Sequence, residues 1–153
     1  FRRVLFRSIP VILMHKRGSP ETMQEKPAYR DAVSEVTGYL LARAAFAEKS
    51  GVARDRIILD PGIGFGKRYE DNCALIAGLA EIACHGYPVL MALSRKSCIG
   101  TMTGRDAPDR LAGTLAANLI AVQNGATFLR VHDAKETRDM LAVQQEITLR
   151  GIH

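Results

Sequence analysis

Residues Arg56–Lys67 read RIILDPGIGFGK. Ile57, Ile58 and Leu59 form a short β-branched and leucine run, apolar on both faces, as a parallel strand covered on both sides requires. The run stops at a carboxylate, Asp60. Pro61 and three glycines, Gly62, Gly64 and Gly66, then lead to Lys67. A buried strand that ends in an acid and a side-chain-free turn predicts a polar site at the strand's C-terminal tip.

The same unit recurs along the chain. The runs IPVILMH (9–15), YPVLMALS (87–94) and TFLRVHD (127–133) are also apolar until they meet polar residues. These are His15-Lys16-Arg17, Ser94-Arg95-Lys96, and Arg130 with His132 and Asp133. Helical patterns separate the runs. Val33, Val36, Leu40, Ala44 and Ala47 share one face, stopped by Gly51. Leu75, Ile76, Leu79 and Ile82 form a second, ending before Gly86. Leu111, Leu115, Leu119 and Val122 form a third, which Asp106 can cap, with Pro108 in the first turn and Gly125 at the end. Asp133 and Glu136 have the spacing of a capping box for a last helix, whose Met140, Val143 and Ile147 are expected to face inward.

Repeated strand–tip–helix units leave two architectures open on pattern alone. A doubly wound sheet suits 153 residues. A (β/α)8 barrel, normally about 250 residues, suits polar tips on every strand, because its site is built from all the strand ends.

Composition narrows the function classes. Twenty-one Lys and Arg against sixteen Asp and Glu give a net charge of +5. The basic residues form neither a run nor an aromatic-interleaved patch, so a nucleic-acid partner is not expected and an anionic small molecule accounts for the excess as well. No apolar stretch reaches the roughly 20 residues of a membrane span. Cys73, Cys84 and Cys98 have no paired motif, which suits a reducing cytoplasmic setting and three small core residues. FRRVLFRS (1–8) lacks any period, and its back-translation resembles a sequencing adapter. Residues 1–8 are expected to be a non-native leader and 9–153 the domain.

The glycine loop is not a known phosphate loop. A Walker A motif needs glycine where Pro61 stands and Ser or Thr where Arg68 stands, and a dinucleotide fingerprint needs a third glycine where Lys67 stands. The loop is instead expected to turn beside a flat ligand, with Phe65 as a wall. Asp60 can accept two hydrogen bonds from an amidine-like ring edge or cap the turn. Lys96 can polarise a carbonyl or stay solvated. Arg130 and His132 fall on one side of an extended segment, where two donors suit a phosphate, although a hydrogen-bonded core histidine is as ordinary.

LMHKRGSPETMQ, LDPGIGFGK, LSRKS and RVHDAKET, in this order and at these spacings, together resemble the dihydropteroate synthase family from Ile9 to about Leu149. The resemblance implies an α/β fold, the C-terminal half of a (β/α)8 TIM barrel with about four βα units (strands five to eight). It implies a transferase of folate biosynthesis that joins 7,8-dihydropterin-6-ylmethyl diphosphate to 4-aminobenzoate, cytoplasmic and homodimeric at full length. It also implies Mg2+, whose ligand belongs to a first half absent from this sequence, so that no metal ligand is expected here and the isolated half is expected to be inactive. Carried over by position, Asp60, Lys96, Arg130, Phe65, Met14 and Gly64 match the pterin site, with Met14 as an apolar floor. Ser97, Phe65, Lys67 and Arg95 match the aminobenzoate site, and Arg130 and His132 the diphosphate site. Lys96, Arg130 and His132 match the catalytic set. Ala92 departs from a glycine common in the family. Two other readings remain: a pterin-binding methyltransferase domain serving a cobalamin partner, and a noncatalytic half-barrel.

Overall fold

A computed structural model describes residues 9–18 and 28–151. The expected leader (1–8) and residues 19–27, which include the end of the LMHKRGSPETMQ motif (19–24), lie outside them. Four short strands, β1 (Val11–Met14), β2 (Ile57–Asp60), β3 (Leu90–Met91) and β4 (Phe128–Leu129), occur where the four apolar runs place them. All pairings are parallel. Val11–Met14 lies beside Ile57–Asp60, a single bridge joins Leu59 to Val89, and Leu90-Met91 lies beside Phe128-Leu129. The spatial order β1-β2-β3-β4 therefore follows the chain without reversal. A doubly wound sheet reverses its order at a switch point, and none occurs among the described residues.

Helix α1 (Ala32–Lys49) joins β1 to β2, and α2 (Tyr69–Ala77) with α3 (Leu79–Ala83) joins β2 to β3. α4 (Ser97–Thr103) and α5 (Leu111–Gln123) join β3 to β4, and α6 (Ala134–Arg150) follows β4. α1 has the expected face: Val36, Leu40, Ala44 and Ala47 are buried, with Val33 packed beside them. Its N-cap is Asp31, whose carboxylate accepts from the Val33 and Ser34 amides, as capping residues do. The second pattern also holds, with Leu75, Ile76, Leu79 and Ile82 all buried. It is divided at Gly78, where a Cβ would lie 3.0 Å from Val33 Cγ2, a tight approach that a larger residue could take only if Val33 shifted.

The third and fourth patterns need correction. Asp106 opens only a 3-10 turn, Ala107–Asp109, and makes no side-chain cap. Helix α5 starts after Arg110, and α4 had no apolar stripe to announce it. The buried face of α5 is Thr114, Ala117, Asn118 and Ala121 rather than the leucine stripe. Leu115 and Leu119 turn instead toward α6, where they line an open groove of about 520 Å³ with Met140, Val143 and Ile147. Val143 and Ile147 are exposed, so the expected inward face of α6 is a groove wall, and Thr137 is its one buried residue among those described. Cys98 is buried as expected, Cys73 is half-buried, and Cys84 is exposed.

Strand coverage is also uneven. Ile57, Leu59, Val89, Met91 and Leu93 are fully buried toward the helices. By alternation and register, Ile12, Met14, Ile58, Asp60, Leu90 and Phe128 share the other face. Ile12, Met14 and Phe128 are exposed on it, so β1 and β4 are not covered on both sides.

Truncation should separate these two kinds of apolar residue. Leu40→Ala empties a fully buried site and is expected to lower unfolding free energy by about 3 kcal/mol. Val143→Ala, on an exposed wall, should change it by less than about 0.5 kcal/mol. Urea denaturation of both variants checks the contrast.

Candidate active site

The strand tips gather at one end of the sheet. Asp60 closes β2 directly beside Met14, the end of β1. Its side chain is buried, and one carboxylate oxygen accepts the Gly62 amide at 2.7 Å. That leaves the second oxygen and a lone pair of the first for other donors. Burial pushes the carboxyl above the ordinary aspartate range, against the pull of the Gly62 amide and the charges of Lys96, Lys67 and Arg130. Asp60 is thus an acid ringed by cations.

The glycine turn has a different explanation from the expected one. Gly62 and Gly66 have φ of 67° and 65°. A Cβ on Gly62 would lie 2.0 Å from the carbonyl oxygen of His15, and one on Gly66 2.2 Å from that of Arg17. At these two positions the backbone that comes so close is the segment after β1. Gly64 differs, since its nearest neighbour is the Lys96 side chain at 3.3 Å, and its amide donates to Asn72 Oδ1 at 2.8 Å. The Tyr29 hydroxyl donates to the Gly66 carbonyl at 2.9 Å.

Lys67 fastens this arrangement. It is buried, and its ammonium meets His15 Nδ1 at 2.9 Å and donates to the carbonyls of Gly62 at 2.9 Å, Phe65 at 3.1 Å and His15 at 3.3 Å. These partners tie the ammonium to the glycine turn and to the end of β1. Burial lowers its pKa to about 8, with Lys96 acting in the same sense and Asp60 and Asp71 opposing. Burial also lowers His15 to about 4, assisted by the Lys67 charge. His15 is therefore the neutral acceptor of the pair, with Tyr39 edge-on to its ring at 5.0 Å.

Lys96 reaches over the glycine turn. Its ammonium donates to the Ile63 carbonyl and lies 4.5 Å from the centre of the Phe65 ring. Burial lowers its pKa, and Asp60 opposes that shift. Asp60, Gly64, Phe65 and Lys96 thus form one cluster. Ser97 is the exposed first residue of α4.

Arg95 does not join them. Its φ of 57° is the one positive value among the described non-glycine residues. The Thr114 hydroxyl accepts its amide at 3.1 Å, and Arg110 donates to its carbonyl at 3.0 Å. Its guanidinium takes both carboxylate oxygens of Asp133, at 2.5 and 3.1 Å. The same contact explains why Asp133 makes no side-chain cap on α6. Arg130 and His132 lie just beyond β4. The Arg130 guanidinium has no hydrogen-bond or ion-pair partner among the described residues, and His132 meets Ser94, as detailed below.

Among the described residues no group of three or more His, Cys, Asp or Glu side chains could hold a metal ion. Asp60, surrounded by ammonium and guanidinium groups, does not fit a Mg2+ ligand. No helix of the described residues is long and apolar enough to cross a membrane.

Sequence reasoning missed Asn72, Tyr29 and Ser94. Ser94 is a buried polar residue inside the LSRKS motif and Asn72 one shortly after LDPGIGFGK, and neither was given a role of its own.

A parallel sheet with its acid, cations and glycine turn gathered at the strand tips has the layout of a TIM-barrel site. The family model described as Pterin binding enzyme matches residues 4–132, and the chain belongs to that family. Dihydropteroate synthase of Escherichia coli (strain K12) is 44% identical over 135 residues, covering 88% of this chain and 48% of that protein. Two solved structures agree in fold. Xanthomonas albilineans dihydropteroate synthase with 4-aminobenzoic acid has a TM-score of 0.84 at 45% identity, covering 91% of this chain and 49% of that one. The Yersinia pestis dihydropteroate synthase with a sulfonamide drug has a TM-score of 0.88 at 34% identity, covering 92% and 52%. The fold is thus that of an α/β TIM-barrel family, and the chain spans about half the length of the curated relatives it matches.

The lowered pKa of His15 gives a signed prediction. Between pH 6.5 and about 4 the unfolded chain holds a proton on His15 that the folded chain lacks. This contribution is complete above pH 6.5 and is lost as pH falls toward 4. Asp60, with its raised carboxyl, acts in the opposite sense, so the measurement is a difference. Urea titrations of wild type and His15→Gln should diverge over that window by on the order of 2 kcal/mol, with wild type losing more as the solution is acidified.

Proposed function

We propose that this chain carries the pterin and diphosphate side of a dihydropteroate synthase, as about four βα units corresponding to strands five to eight of a (β/α)8 barrel over residues 9–153. The observation that carries the proposal is the buried acid Asp60 at a strand tip, with open acceptor capacity beside Lys96 and Phe65. A pterin ring offers two donors on its amino-pyrimidine edge to that carboxylate. Lys96 polarises the ring carbonyl, Phe65 and Met14 bound the ring, and Gly64 admits it close to the loop. Arg130 and His132 take the diphosphate, and Ser97 lies toward the aminobenzoate carboxylate. Lys67 and Arg95 act by shaping the loop and the β3 tip.

In this reading the amine of 4-aminobenzoate attacks the pterin methylene. A C–N bond forms, the C–O bond to diphosphate breaks, and the nitrogen loses a proton. Aromatic amines are weak nucleophiles, so the rate depends on stabilising the departing anion and the electron-poor ring. Arg130 and His132 serve the first need and Asp60 the second. Mg2+, when bound, would neutralise diphosphate charge. Its ligands would come from outside the described residues. The full-length protein is proposed to be cytoplasmic and homodimeric. A cobalamin-linked methyltransferase would have no leaving diphosphate to occupy Arg130 and His132.

Calorimetry with a pterin analogue tests the assignment. A charge-assisted pair of hydrogen bonds is worth roughly 3 kcal/mol, so Asp60→Ala should abolish detectable binding. Unchanged affinity would remove Asp60 from the site.

A further inference from the structure

Ser94 has no assigned role, although it lies on the inner side of the β3 tip and is buried. Its hydroxyl oxygen has two partners, both on one residue. The backbone amide of His132 donates to it at 3.2 Å, and the His132 ring nitrogen Nδ1 lies 2.9 Å away. A serine hydroxyl has one hydrogen and two lone pairs. One lone pair accepts the His132 amide. The hydroxyl hydrogen must then find an acceptor away from water, because a buried donor left unmade costs about 1–3 kcal/mol. Among the described residues Nδ1 is the acceptor within reach. With Nδ1 accepting, the neutral ring carries its proton on Nε2, and this N–H has no hydrogen-bond partner among the described residues.

We propose that Ser94 is a positioning residue that holds the His132 ring with Nδ1 as acceptor and Nε2–H as donor toward an anion of the phosphate or diphosphate class. The proposal rests on the reading of Arg130 and His132 as the anion site. It explains why the end of β3 places a polar residue inward at Ser94 after the buried Leu93. It also links β3 to the segment after β4, beyond the last backbone pairing at Leu129, by one hydroxyl that fixes both the backbone and the ring of His132.

Two measurements on the whole chain test this. In the first, 15N-histidine NMR at a pH well above the ordinary imidazole range reads the tautomer, with His132 assigned from His132→Gln. Nδ1 should be unprotonated and hydrogen-bonded, and a ring carrying its proton on Nδ1 overturns the proposal. In the second, calorimetry follows inorganic diphosphate, with inorganic phosphate as a parallel arm. Ser94→Ala should weaken diphosphate about tenfold, the equivalent of one lost hydrogen bond, and Ser94→Thr, which keeps the hydroxyl, should recover most of it. In a His132→Ala background, Ser94→Ala should add no further loss, since the serine acts through the histidine. Equal loss in both backgrounds, or diphosphate bound unchanged by Ser94→Ala, overturns the positioning role alone. A wild-type chain that takes up neither anion overturns the anion-site reading itself, and with it the purpose given to Ser94.

Discussion

The buried ammonium of Lys67 is the contact on which the site depends. It brings together three stretches that backbone pairing alone would leave apart: the end of β1 through His15, the start of the glycine turn through Gly62, and its crest through Phe65. A lysine out of water is costly unless its protons are all engaged. Four acceptors surround this one, with His15 held neutral to serve as one of them. The reward is geometric. Phe65 is fixed where Lys96 can lie over its ring, and Gly62 is fixed where its amide can reach Asp60. Two glycines complete the fit by letting the turn press on the carbonyls of His15 and Arg17.

Asp60 shows the opposite balance. Its desolvation disfavours charge, and the cations near it restore that charge only in part. Such an acid gains from a ligand that brings its own donors, because each new hydrogen bond relieves a cost already incurred in folding. Lys96 is poised in the same way, as a lysine whose burial weakens its hold on its proton while Asp60 strengthens it. Asp60 ends β2 and Lys96 lies in the segment after β3, so the shape of the sheet sets their balance.

Much of this was legible in the sequence where the pattern is local. The α1 face of Val36, Leu40 and Ala44, the four apolar runs and the acid at the end of β2 all follow from neighbouring residues. The failures share a cause, which is distance along the chain. Nothing near Gly62 or Gly66 tells that the backbone of His15 and Arg17 will lie against them. Asp133 and Glu136 have capping spacing, yet a guanidinium from Arg95 claims the aspartate first. In α5 the hydrophobic scale itself misled, because the buried face is Thr114, Ala117, Asn118 and Ala121, while Leu115 and Leu119 line a groove. Ser94 was quoted as part of a polar tip, but its partner is 38 positions later.

The strand order has a consequence for how the chain acquires its structure. Among the described strands, β1, β2 and β3 each pair with the strand that follows in sequence. Among these strands, each new pairing closes a loop of one helical unit onto a surface already formed. Loop-closure entropy is then lost in instalments rather than at once. Assembly can keep pace with synthesis, from β1 onward, each unit templating the next. The tip residues are the exception. Asp60 has Lys67 from its own turn but meets Lys96 and Arg130 only when later units arrive, so the site is finished after the scaffold.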